Sequence, residues 1–191
     1  MRSIFRYLRK KRFQYEPLAE ITISKDALLH NLETLRNLSG GFSIAPVLKS
    51  NAYGHGLIQI AKILDRKECP FLIVDSYYEA LVLRNEKIIS PILIIGFTLP
   101  ENIIKNRLKN IAFTIGSIQE LEGISHSLKE KKSFHLKIDT GMRRQGILPQ
   151  ELDKAFSIIE RKKNITLEGI FTHLADPYEK MPAPAVKKQV E

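Results

Sequence analysis

The chain has 191 residues, 30 Lys and Arg against 21 Asp and Glu, one Cys, no Trp, and 43% hydrophobic against 27% charged residues. This composition excludes collagen-like, disulfide-stapled and largely disordered chains. The length suffices for one sizeable core, since a domain of about 150 residues buries roughly two-thirds of its unfolded surface.

The net charge of +9 is lopsided. Residues 1–18 form a basic lead in which Arg2, Arg6, Arg9, Lys10, Lys11 and Arg12 face only Glu16, while residues 19–191 are nearly balanced. The lead has no apolar stretch or small-residue cleavage site, so it is not a secretory signal. The most apolar stretch, Ile88 to Phe97, is broken by Ser90, Pro91 and Gly96 and predicts no transmembrane segment. Cys69 has no partner for an internal disulfide and no metal-ligand spacing around it, which fits a reducing cytoplasm.

Along the chain, Ala19 to Ser24 alternates as a short strand, and Ser24 is placed to cap a helix from Lys25 to about Asn37. The apolar face of that helix would hold Ala27, Leu28, Asn31, Leu32 and Leu35. Six short apolar runs follow: Ile44–Leu48, Phe71–Val74, Ile92–Ile95, Ile111–Ile115, Phe134–Ile138 and Leu167–Phe171. Helix-period segments such as Glu79 to Arg84 and Gln119 to Glu122 lie between them. This alternation predicts an α/β fold of parallel strands buried on both faces with helices outside.

Six βα units suit either an open doubly wound sheet or most of an eight-unit (β/α)8 TIM-type barrel. A nucleotide-binding sheet would carry a Gly-rich phosphate loop after its first strand, and neither GxGxxG nor GxxxxGK[ST] occurs. Instead Lys49, Asp75, Asp139 with Arg143 and Arg144, and His173 follow the C-terminal ends of different runs, as in barrels. With two units short of eight, and AVKKQVE reading as the opening of a helix, the expectation is an incomplete barrel.

The sharpest motif is APVLKSNAYGHG, Ala45 to Gly56. A period of two puts Val47 and Lys49 on one face, so the Lys49 amine leaves a strand end into the barrel mouth. A partly desolvated lysine there is an amine able to condense with an aldehyde cofactor. Gly54 and Gly56 let the backbone approach a ligand, and Tyr53 adds a hydroxyl. From spacing alone, the competing reading is that Lys49 reaches solvent and the glycines merely start a helix.

KSNAYGHG closely resembles the cofactor-lysine motif of the alanine racemase family, usually VVKANAYGHG. FLIVDSYYEALVLRN, PILIIGFTLPE and KIDTGMRRQGI are similar to later segments of that family, the last to K-[VL]-D-T-G-M-G-R-x-G. LEGIFTHLA resembles G-[LIV]-x-T-H-[FL]-A, and AEITISKDALLHNLETLR resembles the family's usual start. These matches are collinear from about Ala19 to Glu191. The resemblance implies an eight-stranded barrel followed by a mainly β domain, assembled as a homodimer. It implies pyridoxal 5'-phosphate as cofactor and alanine as substrate, with D-alanine supplied to peptidoglycan.

The same resemblance carries roles to single residues. Lys49 matches the lysine that holds the cofactor and serves as one of two opposed bases, the other being a tyrosine of the partner subunit. Tyr53 matches the tyrosine that bonds the cofactor phosphate, and His173 the histidine packed beside the pyridine ring. Arg144 matches the arginine at the phenolic oxygen and the substrate carboxylate. Val47 matches an apolar wall residue, and Lys137 the lysine that is carbamylated in many members. No metal is implied.

Two departures stand out. Arg143 occupies the position of the family's glycine, which predicts a different backbone or an added charge beside Arg144. The chain ends at Glu191, where the resemblance leaves two strands, the β domain and the second base still to come. A fragment of this kind is expected to expose sheet edges and not to racemise alanine by itself. Two rivals are a non-catalytic protein that binds pyridoxal phosphate through Lys49, and a basic module whose residues 1–18 bind nucleic acid or an anionic membrane. No specific nucleic-acid partner is expected. His30, His126 and His135 read as structural or surface residues on helix or loop patterns, Met142 as packing, and by themselves His173 and Arg143-Arg144 could be equally bland.

Overall fold

The computed structural model describes residues 18–175 and 188–189; the basic lead up to Pro17 and most of the AVKKQVE segment lie outside them. Five parallel strands form one sheet in sequential order: β1 (Leu72–Val74), β2 (Ile92–Ile94), β3 (Ile111–Ile115), β4 (Lys132–Ile138) and β5 (Ile165–Thr172). Helices α1 (Lys25–Leu38), α2 (Leu57–Leu64), α3 (Tyr77–Asn85), α4 (Pro100–Lys105), α5 (Ile118–Ser127) and α6 (Leu152–Glu160) alternate with them. The run at Ile44–Leu48 adds to β1 only by a parallel bridge, Val47 to Ile73, with Leu48 N–H donating to Ile73 O at 2.7 Å. The fold is an incomplete TIM-type barrel.

Strand side chains alternate between two faces. On the outer face Leu72, Val74, Ile92, Ile94, Ile111, Phe113, Ile115, Phe134 and Leu136 join the helices' Ala80, Leu83, Ile103, Leu121 and Ala155 in one core. The inner face carries Ile73, Leu93, Ala112, Thr114, His135 and Lys137. Between β4 and β5 the register shifts after Phe134, so that Gly169 stands opposite His135 and Phe171 opposite Lys137. A Cβ on Gly169 would lie 2.9 Å from the His135 ring, which explains a glycine here.

The helix starts follow from local chemistry. Ser24, Ser76 and Ser117 each accept a backbone N–H three residues on, from Ala27, Glu79 and Glu120 respectively. Glu79 and Glu120 reach back to accept from Asp75 N–H and Gly116 N–H, tying each helix to the strand end before it.

Two expectations need correction. Ala19–Ser24 forms no strand, and Ile21 is exposed. The α1 face is buried only at Leu32 and half-buried at Leu28; Ala27, Asn31 and Leu35 are exposed. The helix touches the rest of the fold mainly along α2, so Leu32 alone finds a fully buried seat. No helix among the described residues is long and apolar enough to cross a membrane.

Candidate functional site

The motif residues after the first run adopt a conformation that hydrophobic periodicity does not report. Ser50, Asn51, Ala52 and Tyr53 all have φ between 52° and 56°, a left-handed turn of four non-glycine residues. Each such residue costs about 1–2 kcal/mol, so the surroundings must hold it. Ala52 is buried, Asn51 Oδ1 accepts from Leu57 N–H at 2.8 Å, and Glu79 Oε1 accepts from Asn51 N–H at 3.3 Å. Gly54 N–H and Gly56 N–H bond Asn51 O, with φ of 91° and 98° at the two glycines. The glycines therefore close the turn. Lys49, half-buried, opens it, and Tyr53 projects from it with its side chain largely exposed.

The loop after β4 is organised by Asp139. Its carboxylate accepts from the N–H groups of Gly141, Arg143 and Arg144 at 2.9 to 3.0 Å. These bonds, that from Arg143 first, hold the carboxyl below its usual range despite some burial. Ionised Asp139 therefore contributes stability that is fully present above the unfolded carboxyl value near 4 and is lost as pH falls through the lower folded value. Asp139→Asn is expected to flatten the acid limb of the stability curve, measured by denaturation at several pH values.

Arg143 sits in this loop at φ 52°, the left-handed region. The position thus keeps a backbone conformation that favours glycine, and the arginine side chain is exposed. Arg143→Gly is expected to stabilise the protein by roughly 1 kcal/mol, read as a raised midpoint in urea; an unchanged or lower midpoint would contradict it.

Behind the loop lies Lys137, 7% exposed, whose Nζ donates to Gln145 Oε1 at 3.0 Å and stands 6.0 Å from the centre of the Phe171 ring. Burial first, then the charges of Arg144 and Lys49, push the Lys137 ammonium down, with Asp75 and Asp139 opposing. Burial, Arg144, Lys137 and Lys49 in that order lower His173. Lys137, Asp139, Met142, Arg144, Gln145 and His173 lie together around one tightly filled indentation at this end of the sheet. At the same end, Gln189 joins β4 to β5: its Nε2 donates to Thr140 Oγ1 at 3.0 Å, and its Oε1 accepts from Ala175 N–H at 2.8 Å.

Lys137, Arg144 and His173 thus sit together at the C-terminal ends of the strands, with Lys49 within electrostatic reach of Lys137 and His173. Tyr53 stands apart on its turn, and Val47, 38% exposed, borders the inner face at the bridge to β1. Arg143 points away as an exposed residue. His30 is exposed on α1, and His126 bonds Glu122 O at the end of α5. His135 departs from its expected place: it is a buried residue of β4, edge-on to Phe71 at 5.2 Å. Gln145 is the site residue that sequence reasoning missed, because nothing in the spacing marks a residue that acts across a loop.

Parallel strands, outer helices and a cation-rich cluster at the strands' C-terminal ends define an α/β-barrel protein with its candidate site in the usual barrel position. Residues 23–191 match the alanine racemase N-terminal domain, and the chain belongs to that family. It is 36% identical over 163 residues to an alanine racemase of Methanococcus maripaludis, covering 83% of this chain and 43% of that protein. An alanine racemase of Clostridium tetani is 37% identical over 82% of this chain and 42% of its own length. Among solved structures, alanine racemase of Clostridium difficile 630 superposes with a TM-score of 0.76 at 33% identity, over 86% of this chain and 44% of that one. Histidine racemase of Leuconostoc mesenteroides superposes with a TM-score of 0.79 at 25% identity, over 88% and 46%. The chain therefore spans less than half the length of the curated relatives it matches.

Proposed function

We propose that this chain is the cofactor-binding barrel segment of a pyridoxal-phosphate-dependent amino-acid racemase acting on alanine, with residues 19–191 as its domain. The observation that carries this reading is the gathering of Lys49, Lys137, Arg144 and His173 from the ends of different strands at one end of the sheet, in a chain of this family. The donor set fits the group: clustered cations suit a phosphate-bearing anionic cofactor, and Lys49 offers the amine that holds its aldehyde carbon. When bound, the cofactor supplies an electron sink at the substrate α-carbon.

The protein's residues do the rest. The Lys49 amine exchanges the α-proton on one face of the substrate. By the motif resemblance, the Tyr53 hydroxyl would hold the phosphate, His173 would pack beside the ring, and Val47 would supply an apolar wall. Arg144, a planar cation, would hold the phenolic oxygen and the substrate carboxylate. Lys137, buried among cations, adds carbon dioxide to its neutral amine with release of a proton, giving a carbamate that faces Arg144. Inversion needs a second base on the opposite face, which the motif resemblance assigns to a tyrosine of the partner subunit in a homodimer. The setting is cytoplasmic, and the product serves cell-wall synthesis.

The test is to load the purified chain with pyridoxal phosphate, reduce it with borohydride and map the modified peptide. In parallel, deuterium uptake at the α-carbon is followed with both enantiomers of alanine and of histidine in heavy water. The expected result is label at Lys49 and deuterium uptake with retained configuration, faster with alanine. Label elsewhere would overturn the assignment of Lys49, and racemisation by this chain alone would overturn that of the second base. Lys49 labelling without exchange would favour a non-catalytic cofactor-binding protein, and preference for histidine would reassign the substrate.

A further inference from the structure

Lys137 is buried in a like-charged neighbourhood, and one side chain answers its amine. Gln145 lies eight residues on, beyond the Asp139 loop, yet its Oε1 accepts from Lys137 Nζ at 3.0 Å. Its route is prepared by a second residue. Gly116 ends β3, and a Cβ there would lie 3.2 Å from Gln145 Cγ and 3.4 Å from Nε2, so the missing side chain makes room for the carboxamide. Gly116 is held in place by its own N–H, which donates to Glu120 Oε2 at 2.7 Å. Three consecutive parts of the barrel, the β3 end, the β4 end and the loop after β4, therefore bring one amide oxygen to one amine.

We propose that Gln145 is a positioning residue, whose carboxamide fixes the Lys137 amine and sets its charge beside Arg144. This deepens the proposed function, since it concerns the same site. An amide oxygen is a neutral acceptor: it favours the ammonium over the amine by a hydrogen bond, without the full charge that a carboxylate would add. The groups facing Lys137 are Lys49 from the first run, Asp75 from the end of β1, Asp139 and Arg144 from the loop, and His173 from the end of β5. Burial and the cations disfavour a proton on Lys137 and the carboxylates only partly offset them, so the Gln145 bond works against that bias. The amine it holds is also the one that takes up carbon dioxide in the proposed function. Strengthening the bond to the ammonium therefore opposes that modification, and removing it favours the reactive amine.

The test reads Lys137 directly, without cofactor or turnover. In the full chain carrying lysine labelled with 13C at Cε, the Lys137 resonance is identified by its loss in Lys137→Met and titrated in carbon-dioxide-free buffer. Gln145→Leu is expected to lower the midpoint by about one pH unit, a tenfold loss of proton affinity, and Gln145→Glu to raise it by a similar amount. Far-ultraviolet circular dichroism and a urea midpoint establish that each variant is folded. Opposite shifts in two folded variants support the proposal, because loss of packing would move both midpoints the same way. Equal shifts, or none, overturn it. If either variant fails to fold, Gln145→Asn supplies the reading: its shorter arm withdraws the oxygen, and an unchanged midpoint overturns the proposal. If Lys49 proves not to hold the cofactor, the titration still stands, so the two readings fail separately.

Discussion

Gly146→Ala is expected to be the most damaging single-methyl change in the candidate site. Gly146 has φ 146°, outside the range that residues with a side chain readily adopt. A Cβ there would lie 2.7 Å from Ile138 C and 3.1 Å from Asp139 Cα, and it would press on Asp139 N. These are backbone atoms of β4's end, which cannot swing aside as a side chain can. The relief is for the chain at Ile147 to withdraw, which breaks Ile147 N–H to Lys137 O at 2.8 Å and Asp139 N–H to Ile147 O at 3.0 Å. Overpacking of this kind costs about 1–3 kcal/mol, and two lost hydrogen bonds add roughly 1 kcal/mol each. A total on the order of 3–5 kcal/mol is expected, read as a drop in the urea midpoint. Asp139 would also lose its hold on the amides of Gly141, Arg143 and Arg144, so binding of pyridoxal phosphate is expected to weaken along with stability. A loss below about 0.5 kcal/mol would mean that the loop does not close as described.

Lys49→Met is the second. The side chain keeps its length and loses its nitrogen, so packing near Leu48 is little disturbed. Under the proposed function, borohydride reduction then leaves no label at position 49, and α-proton exchange falls by roughly a thousandfold or more, since the same group supplies covalent attachment and base. Lys49→Arg separates the two contributions: it keeps a cation in the cluster but cannot condense with an aldehyde at neutral pH. Electrostatic binding of the cofactor, read by dialysis equilibrium, is expected to survive in Lys49→Arg and to weaken in Lys49→Met, while both lose the covalent label. Persistent labelling of either variant at Lys137 would move the attachment point to the neighbouring amine.

The barrel's alternation was legible because strands covered on both faces read as unbroken apolar runs, and because segments of helix period lie between them. Phe113, Ile94 and Leu83 are where such patterns place them. The first run is weaker than its residues suggest, a single bridge at Val47, since the chain turns left-handed directly after Lys49. The α1 face misled for a related reason: an amphipathic pattern states which side could be buried, but only a neighbouring element buries it.

The sequence by itself determined the class of fold and the family, and through its short motifs the resemblance singled out Val47, Lys49, Tyr53, Lys137, Arg144 and His173 as candidates, because such motifs are complete within one short segment. Only the tertiary structure decided what meets across segments. It placed Gln145 on Lys137 through the space left by Gly116, turned Asp139 inward to hold its own loop, stood the His135 ring over Gly169, and brought Gln189 to Thr140 and Ala175. The physical reason is that a hydrogen bond or a close contact depends on separation in space. Strand register and loop closure set that separation, and neither leaves a periodic trace along the chain.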